Sequence, residues 1–315
     1  MRTGAVLLLA VATSGYGSEG AGRPSAGCAR PAPAIPPATL QVDGRARHLL
    51  TVVPEGYAPD VPHALVLAFH GRTTSNVKAR AYLGLEAHAK RPTIFVYPAA
   101  LVAADGKYSW YEPGDRRDRL RDYALFDAVV EAIGAAYCID RDRVFVVGHS
   151  LGGSFANSLG CARGSLIRGV GTVAGRVWEA PCSGPAAAII LHNPKDDLVP
   201  FERGLEARDH ALRQNGLGPP SRPCEPLALR CERYGPPGAP DPVVWCPHGE
   251  ERNGRGDLYP HLWPRDAGRA IMEFFESLPP AVATGWRESD SDAPTGRVLS
   301  RLDHGHMDRG EERAR

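Results

Sequence analysis

The sequence predicts an α/β fold with a mostly parallel central sheet flanked by helices on both faces. Short apolar runs rich in β-branched residues recur along the chain, which is typical of strands buried on both sides. Between several of these runs lie segments whose apolar residues recur with helical spacing. Strands that alternate with helices indicate a parallel sheet, because each helix carries the chain back across one face.

Composition and charge narrow the range of functions. The 315 residues are enough for one α/β domain with a sizeable core. The formal net charge is +1, and no basic stripe is interleaved with aromatic residues, so the sequence gives no support for nucleic-acid binding. Seven cysteines are typical of a protein that matures in an oxidising compartment.

The two ends of the chain differ in composition from its centre. Residues 1–22 contain a short apolar run after a basic residue and end in small residues, which predicts a signal peptide and hence secretion. The run is too short to span a membrane. Residues 23–39 are rich in Gly, Pro, Ser and Ala and are predicted to be a linker, whereas the charged residues 279–315 predict a disordered tail. We therefore expect the folded domain over residues 40–278.

The first half of the domain is predicted to supply strands followed by a helix. Residues 47–53 form an edge strand that ends at a proline, and the apolar run 64–69 is the first central strand. Residues 93–97 form the next strand, which is also stopped by a proline. Residues 122–136 place apolar side chains on one face at helical spacing, which predicts a helix packed on the sheet.

The second half of the domain continues the alternation. Its strands are short β-branched or alanine-rich runs, and its helices have apolar residues on one face. A Pro/Gly-rich insertion that reaches residue 242 is predicted to lack regular structure. The predicted elements are strands at 144–147, 169–173, 187–191 and 243–245, and helices at 154–161, 202–214 and 266–277.

A serine enclosed by glycines follows the strand at 144–147. The segment from Gly148 to Gly153 reads G-H-S-L-G-G, and a helix follows directly. A strand-to-helix turn with this pattern is a nucleophile elbow, in which side chains in place of the flanking glycines would collide with the neighbouring backbone. We therefore predict that Ser150 is a catalytic nucleophile and that the N–H of Leu151 helps to bind an oxyanion.

A second segment of candidate functional residues, His70, Gly71 and Arg72, directly follows the strand at 64–69. A strand that ends in His-Gly is the usual place for a second oxyanion donor in folds that contain such an elbow. The backbone N–H of Arg72 is therefore predicted to complete the oxyanion hole together with that of Leu151. The side chain of His70 is interpreted as structural.

An acid and a histidine are needed to activate the serine. A serine hydroxyl is a weak nucleophile until a histidine takes its proton, and a carboxylate fixes the tautomer of that histidine. Asp196 and Asp197 both lie just past the end of a predicted buried strand, and His210, His248 and His261 follow. The resulting order of serine, acid and histidine along the chain supports a catalytic triad.

These features resemble the secreted feruloyl esterase and poly(3-hydroxybutyrate) depolymerase group of α/β-hydrolases, over residues 40–277. The resemblance implies an α/β-hydrolase fold. It places the acid at Asp196, in a segment similar to H-G-T-x-D-x-x-V-P, although Asn193-Pro194 replaces the usual Gly-Thr. It places the base at His261, within H-x-W-P. Other matching elements are the His70-Gly71 strand end, Cys138-Ile139-Asp140, the G-H-S-L-G-G elbow, Cys161, Cys182 and Val243-Val244-Trp245-Cys246.

The resemblance implies a secreted serine carboxylesterase that acts through an acyl-enzyme and releases hydroxycinnamates such as ferulate from plant cell-wall polysaccharide. It implies no metal and no organic cofactor, and we expect a monomer. A poly(3-hydroxybutyrate) or other polyester depolymerase and an acetylxylan esterase are alternatives within the same group. An inactive α/β-hydrolase that serves as a binding module is the alternative outside the enzymes.

Aromatic residues near the predicted strand ends are candidates for substrate binding. Trp110 and Tyr111 lie in the loop after the strand at 93–97, and Trp263 lies two residues after His261. Aromatic faces suit both phenolic rings and sugar rings. We therefore expect these three side chains to line the cleft beside the nucleophile, with the acyl group in an apolar slot.

A disulfide is predicted between Cys138 and Cys161. The strand that leads to Ser150 and the helix that leaves it run antiparallel from one turn, so their far ends are expected to meet. A strand rises faster per residue than a helix, but a loop before residue 143 would absorb the difference. The pairing of the other cysteines is left open by the sequence.

Overall fold

The computed structural model describes residues 22–110, 121–178 and 181–279. Its strands are β1 (Thr39–Val42), β2 (Arg45–Val52), β3 (His63–Phe69), β4 (Thr93–Pro98), β5 (Leu101–Val102), β6 (Tyr108–Ser109), β7 (Ile139–His149), β8 (Gly169–Val173), β9 (Ala187–Leu191), β10 (Ser221–Pro223), β11 (Glu232–Tyr234) and β12 (Val243–Cys246). Ten of these strands form one sheet in the order β1-β2-β4-β3-β7-β8-β9-β12-β11-β10. The six strands from β4 to β12 in this order run parallel, and antiparallel strands flank them at both edges.

Helices cover both faces of this sheet. Side chains of α2, α3 and α4 belong to the core on one face, and those of α1 and α5 to the core on the other, where the helices are α1 (Asn76–Leu83), α2 (Arg121–Ala136), α3 (Leu151–Ala162), α4 (Phe201–Gln214) and α5 (Ala267–Ser277). Successive β7 residues alternate between the two cores, with Val144 and Val146 in the first and Phe145 and Val147 in the second. The predicted fold class is therefore confirmed.

The predicted bridge between Cys138 and Cys161 is wrong, and the length of β7 explains why. The expected loop before residue 143 does not exist, because β7 is a strand of 11 residues that starts at Ile139. Such a strand extends about 36 Å, whereas α3 extends only about 18 Å, so the far ends of the two elements lie well apart. The disulfides are Cys28–Cys138, Cys161–Cys182 and Cys231–Cys246, and Cys224 is a free thiol.

Residues 23–28, assigned to the predicted linker 23–39 by their composition, pack against the domain instead. The Ser25 N–H donates to the Ile139 carbonyl at 2.9 Å, and the Ser25 hydroxyl donates to the Tyr137 carbonyl at 2.9 Å. A Cβ on Gly27 would collide with the Tyr137 carbonyl, so a small residue is required here by close approach. We call residues 23–28 the N-terminal strap, because they cross the start of β7 and are tied there through Cys28.

The Pro/Gly-rich insertion before residue 242 is more regular than its composition predicted. β10 and β11 extend the sheet antiparallel beyond β12, and Cys231–Cys246 joins β11 to β12. Other predictions lie outside the described residues: the signal peptide up to residue 21, Tyr111, and the tail from residue 280 onward. Within the described ranges, no helix is long and apolar enough to cross a membrane.

Candidate active site

Ser150 occupies the tight turn between β7 and α3. Its φ of 58° and ψ of −123° lie in a region that residues with side chains rarely adopt. The neighbouring glycines make the turn possible, since a Cβ on Gly148 would collide with the Gly152 carbonyl and one on Gly152 with the Phe69 carbonyl. The backbones of β3, β7 and α3 therefore meet directly beneath the serine.

The structure brings Ser150, His261 and Asp196 into one hydrogen-bonded row. The Nε2 atom of His261 lies 2.8 Å from the Ser150 Oγ, and the Nδ1 atom lies 2.7 Å from Oδ2 of Asp196. A carboxylate only accepts, so Nδ1 carries the proton and Nε2 is free to accept the proton of the serine hydroxyl. This is the arrangement of a nucleophile, a base and an orienting acid.

Asp196 is held from both sides, whereas the competing Asp197 is exposed. The Oδ1 atom of Asp196 accepts the N–H groups of Leu198 and Val199, both at 3.0 Å. Burial opposes ionisation of Asp196, but the hydrogen bonds from His261 and from the Val199 N–H outweigh it, so the pKa of this carboxyl lies below its ordinary value. The group is therefore a stable anion beside the imidazole.

The two competing histidines lie elsewhere. His210 is on α4, where its Nε2 atom is 4.0 Å from the sulfur of Cys182. His248 is buried, and neither of its ring nitrogens has a hydrogen-bond partner within the described residues. Burial lowers the pKa of His248 to about 4, so its ring is neutral at ordinary pH. The structure thus brings His261, and neither rival, to the serine.

The turn after β3 lies against the elbow and is fixed by His70. The Ala100 N–H donates to Nε2 of His70 at 3.0 Å, so the ring proton must be on Nδ1, which lies 2.8 Å from the Gly71 carbonyl. In a trans peptide the C=O and the following N–H point in opposite directions. By holding the Gly71 carbonyl, His70 therefore sets the direction of the Arg72 N–H. Within the described residues neither the Arg72 nor the Leu151 N–H donates to a protein acceptor.

Trp110 is not part of the cleft surface, so its predicted role in substrate binding is wrong. Its side chain is fully buried and stacks on Phe155, with ring planes 3° apart and centroids 5.4 Å apart. Its indole N–H donates to the His70 carbonyl at 2.7 Å. The Tyr108 N–H likewise donates to the Arg72 carbonyl at 3.1 Å. Tyr108 and Trp110 therefore support the turn after β3 from behind, and neither residue lines the cleft.

A cleft of about 730 Å³ opens above Ser150 and His261. Trp263 lines it as predicted from its place in the sequence, and the exposed side chains of Leu198 and Tyr259 add apolar surface. Polar side chains line the cleft as well. The apolar lining residues include Tyr82, Leu198, Val199, Tyr259, Leu262 and Trp263, and the polar ones include Arg72, Thr73, Thr74, Glu250, Arg252, Asn253 and Arg265.

The described residues contain one group of side chains with metal-ligating atoms close together, namely Cys161, Cys182 and His210. The two sulfurs of this group are bonded to each other, so they offer no thiolate. The group also lies apart from the cleft, since none of its three residues lines it. This group therefore does not provide a cofactor site beside Ser150.

Two residues that the sequence analysis did not single out, Tyr82 and His149, also line the cleft. His149 occupies the variable position of the elbow pattern, and its place directly before Ser150 was the available signal. Tyr82 lies on α1, a helix that was not predicted, and no motif marks it. Only the fold places this tyrosine beside the elbow.

Curated relatives of the chain are esterases. It is 31% identical over 218 residues to a probable feruloyl esterase C of Aspergillus terreus, which covers 66% of this chain and 76% of the relative. It is 26% identical over 282 residues to feruloyl esterase D of Neurospora crassa, which covers 81% of this chain and 91% of the relative. No family model matches the chain.

Two solved structures with similar folds are also esterases. A thermostable esterase superposes with a TM-score of 0.53 at 16% identity, over 76% of this chain and 59% of that one. An acetyl xylan esterase from Aspergillus awamori superposes with a TM-score of 0.50 at 14% identity, over 73% of this chain and 94% of that one. At such low identity these likenesses establish the α/β-hydrolase fold and nothing finer.

Proposed function

This chain belongs to the feruloyl esterase family of α/β-hydrolases, and from that premise we propose that it hydrolyses carboxylic esters with Ser150 as nucleophile, His261 as base and Asp196 as orienting acid. The observation that carries the assignment is the continuous row of hydrogen bonds from Ser150 Oγ through both nitrogens of His261 to Asp196. The strained elbow supports it further, since strain of this kind is retained at functional sites.

The geometry supports a reaction through an acyl-enzyme. His261 Nε2 takes the hydroxyl proton as Ser150 Oγ attacks the ester carbonyl carbon, and Asp196 stabilises the imidazolium that forms. The bond from that carbon to the alcohol oxygen then breaks, and His261 returns the proton to the departing alcohol. A water molecule repeats the sequence, adding its oxygen to the acyl carbon, so that the free acid leaves and Ser150 regains its proton.

The negative charge on the carbonyl oxygen needs donors that are already in place. The N–H of Leu151 begins α3, where the helix dipole also favours a negative charge. The hydrogen bond from Nδ1 of His70 to the Gly71 carbonyl sets the direction of the Arg72 N–H. We propose that these two N–H groups form the oxyanion hole. Neither of them has an acceptor among the described residues to give up when the substrate binds.

We propose that the substrate is a hydroxycinnamoyl ester, such as a feruloyl group on plant cell-wall polysaccharide. The names of the curated relatives support this choice. The lining of the cleft supports it as well, because Tyr259 and Trp263 offer aromatic faces for a flat phenolic ring. The polar side chains that also line the cleft suit a hydroxyl-rich leaving group.

A side-by-side assay of purified protein tests both the assignment of Ser150 as nucleophile and the choice of substrate class. We expect hydrolysis of methyl ferulate and 4-nitrophenyl acetate, and far slower cleavage of acetylated xylan and of a hydroxybutyrate trimer. Ser150→Ala should reduce kcat on every substrate by roughly a millionfold, the loss typical of such nucleophiles. A variant that keeps activity within about tenfold of the parent would refute the assignment of Ser150. Efficient cleavage of hydroxybutyrate or acetylxylan with little on ferulate would move the substrate class to those alternatives.

A pair of variants tests the aromatic part of the cleft separately. Tyr259→Ala should raise KM for methyl ferulate by about tenfold, because an aromatic face buried against the ligand contributes roughly 1–3 kcal/mol. It should change KM for 4-nitrophenyl acetate much less. Leu258→Ala is the matched control, since Leu258 is the exposed apolar neighbour that does not line the cleft. Equal effects of Tyr259→Ala on both substrates would place the acyl group elsewhere.

We also propose that the chain is secreted and works as a monomer. Three disulfides support maturation in an oxidising compartment. The mature N-terminus recovered from a culture medium, together with the mass in solution, tests both statements. Retention of the chain inside the cell or a stable dimer would contradict them.

A further inference from the structure

The aromatic side chains behind His261 form a chain of hydrogen bonds that the triad does not include. The Nε2 atom of His149 lies 3.0 Å from the backbone carbonyl of His261. The hydroxyl of Tyr82 lies 3.3 Å from the Nδ1 atom of His149. The ring of Trp263 packs edge-on against both, with centroids 6.0 Å from His149 and 6.3 Å from Tyr82.

The direction of each hydrogen bond follows from chemistry. A carbonyl oxygen only accepts, so Nε2 of His149 must carry a proton and donate it to the His261 carbonyl. In the neutral ring Nδ1 is then an acceptor, and the hydroxyl of Tyr82 donates to it. Burial, together with the nearby His261, lowers the pKa of His149 to about 3, so the ring stays neutral. A neutral His149 does not repel the positive charge that His261 acquires when it takes a proton.

These hydrogen bonds connect His261 to the residue that directly precedes the nucleophile. His149 and Ser150 are neighbours in sequence: one holds the main chain of His261, and the other meets its imidazole. The catalytic histidine itself lies in the long connection between β12 and α5. Its carbonyl is thereby tied to the end of β7, the strand that also presents the nucleophile. The position of the imidazole relative to Ser150 Oγ is then set by a rigid strand and not by the loop alone.

We propose that Tyr82 and His149 are positioning residues, which hold the main chain of His261 so that its imidazole stays in line with Ser150. The proposal rests on the catalytic roles given above to Ser150 and His261. Neither residue transfers a proton to the substrate. Their contribution is to the geometry of proton transfer, and a misplacement of about 1 Å in such a site can reduce turnover roughly a hundredfold.

Three variants test this proposal in the full-length protein with 4-nitrophenyl acetate. His149→Ala removes the donor to the His261 carbonyl and should lower kcat by about 10- to 100-fold, with KM changed less than about threefold. His149→Gln keeps an N–H at the position of Nε2 and should recover most of kcat. Tyr82→Phe removes only a hydroxyl and should lower kcat by about three- to tenfold. In the His149→Ala background, Tyr82→Phe should add little further loss, since it acts through His149.

Controls separate positioning from a general loss of structure. Tyr97→Phe is the matched control, because the Tyr97 hydroxyl is also partly buried and donates to Glu86 at 3.0 Å, away from the cleft. It should leave kcat unchanged. The rate at which an organophosphonate labels Ser150 gives a second readout, and it should fall in parallel with kcat in the His149 and Tyr82 variants.

The outcomes also distinguish this proposal from the proposed function. A parent protein that neither hydrolyses esters nor becomes labelled at Ser150 would contradict the proposed function itself. With an active parent, equal kcat for the parent and Tyr82→Phe would overturn the positioning role. A His149→Gln protein as slow as His149→Ala, or losses that simply add in the double variant, would overturn it as well. If His149→Ala does not fold, the comparison of Tyr82→Phe with Tyr97→Phe decides the matter.

Discussion

At the scale of single residues, the Asp196 carboxylate has both of its oxygens in use. Oδ1 accepts two backbone N–H groups, while Oδ2 faces Nδ1 of His261 at 2.7 Å and Nε2 of His192 at 3.5 Å. His192 also donates to the Val199 carbonyl at 2.8 Å. The carboxylate is thus fixed in orientation, and through it the tautomer of His261 is fixed.

We therefore expect Asp196→Asn to reduce kcat by roughly ten-thousandfold, as in a comparable triad. The amide offers an N–H to the imidazole where a carboxylate accepts, so the wrong tautomer is favoured. Asp197→Asn is the matched control one residue away, and its exposed side chain should leave kcat within about twofold. Steady-state assays of both purified variants check this. A larger loss from Asp197→Asn would reverse the assignment of the acid.

The sequence predicted which residues come together at Ser150 better than it predicted the residues that support them. Ser150 and its glycines form a pattern that backbone sterics impose, and the order of Asp196 and His261 follows from strand ends. Trp110 shows the limit of such reasoning: an aromatic residue in a loop gives no sign of whether it faces solvent. The indole N–H found its partner in the His70 carbonyl, a contact between distant parts of the chain that no local pattern encodes.

At the scale of elements, hydrophobic pattern predicted the buried strands well and the edges poorly. β8 and β9 have the predicted bounds, since both are apolar runs in the middle of the sheet. β1 and β10 are the edge strands and β11 lies next to β10; all three are short and rich in polar residues, and they pair because a neighbouring strand is present. The N-terminal strap was missed for the same reason, because its hydrogen bonds depend on residues more than one hundred positions away.

The strap gives a prediction for stability. Cys28→Ser opens a loop with a sequence separation of 110 residues, and closing a loop of that size restricts the unfolded chain by about 4 to 5 kcal/mol in the entropic account. We expect the free energy of unfolding to fall by a few kcal/mol, while kcat of the folded fraction stays unchanged, since none of the strap residues lines the cleft. Urea denaturation combined with an activity assay measures both.

Cys224→Ser is the control for that experiment, because Cys224 is the free thiol and its replacement removes no bridge. It should leave the unfolding free energy nearly unchanged. A Cys28→Ser protein as stable as the parent would show that the strap is held by its backbone hydrogen bonds without help from the disulfide.

At the scale of the whole molecule, buried histidines should make stability depend on pH. Burial is the largest cause that lowers the pKa of His63, His70, His149, His192 and His248. In the unfolded chain these groups take up protons as the pH falls below about 6.5, while the folded protein resists protonation. The unfolded state then binds more protons, so the free energy of unfolding decreases as the pH falls.

His248 provides the variant that tests this expectation. Its pKa is lowered to about 4. The stability that the neutral His248 ring gives the folded protein is therefore fully present above pH 6.5, the ordinary pKa of histidine, and it is lost as the pH falls from 6.5 to about 4. His248→Leu removes the titrating group without breaking a hydrogen bond found in the described residues. Unfolding free energies at pH 7 and pH 5 should therefore differ less in the variant than in the parent. An unchanged difference would mean that His248 already carries a proton in the folded protein or that the other histidines dominate.

The arrangement of the disulfides has a consequence for biosynthesis. Each bridge joins cysteines that follow one another in sequence, apart from Cys224, which precedes Cys231. A chain threaded N-terminus first into an oxidising compartment therefore presents each thiol to its native partner next, without reshuffling. Cys224 interrupts this order, because it emerges before Cys231 and faces it across β10 and β11, where its N–H donates to the Cys231 carbonyl at 3.0 Å. In the secretion proposed above, the interval between the entry of Cys231 and that of Cys246 thus bears on which thiol remains unpaired in the finished protein.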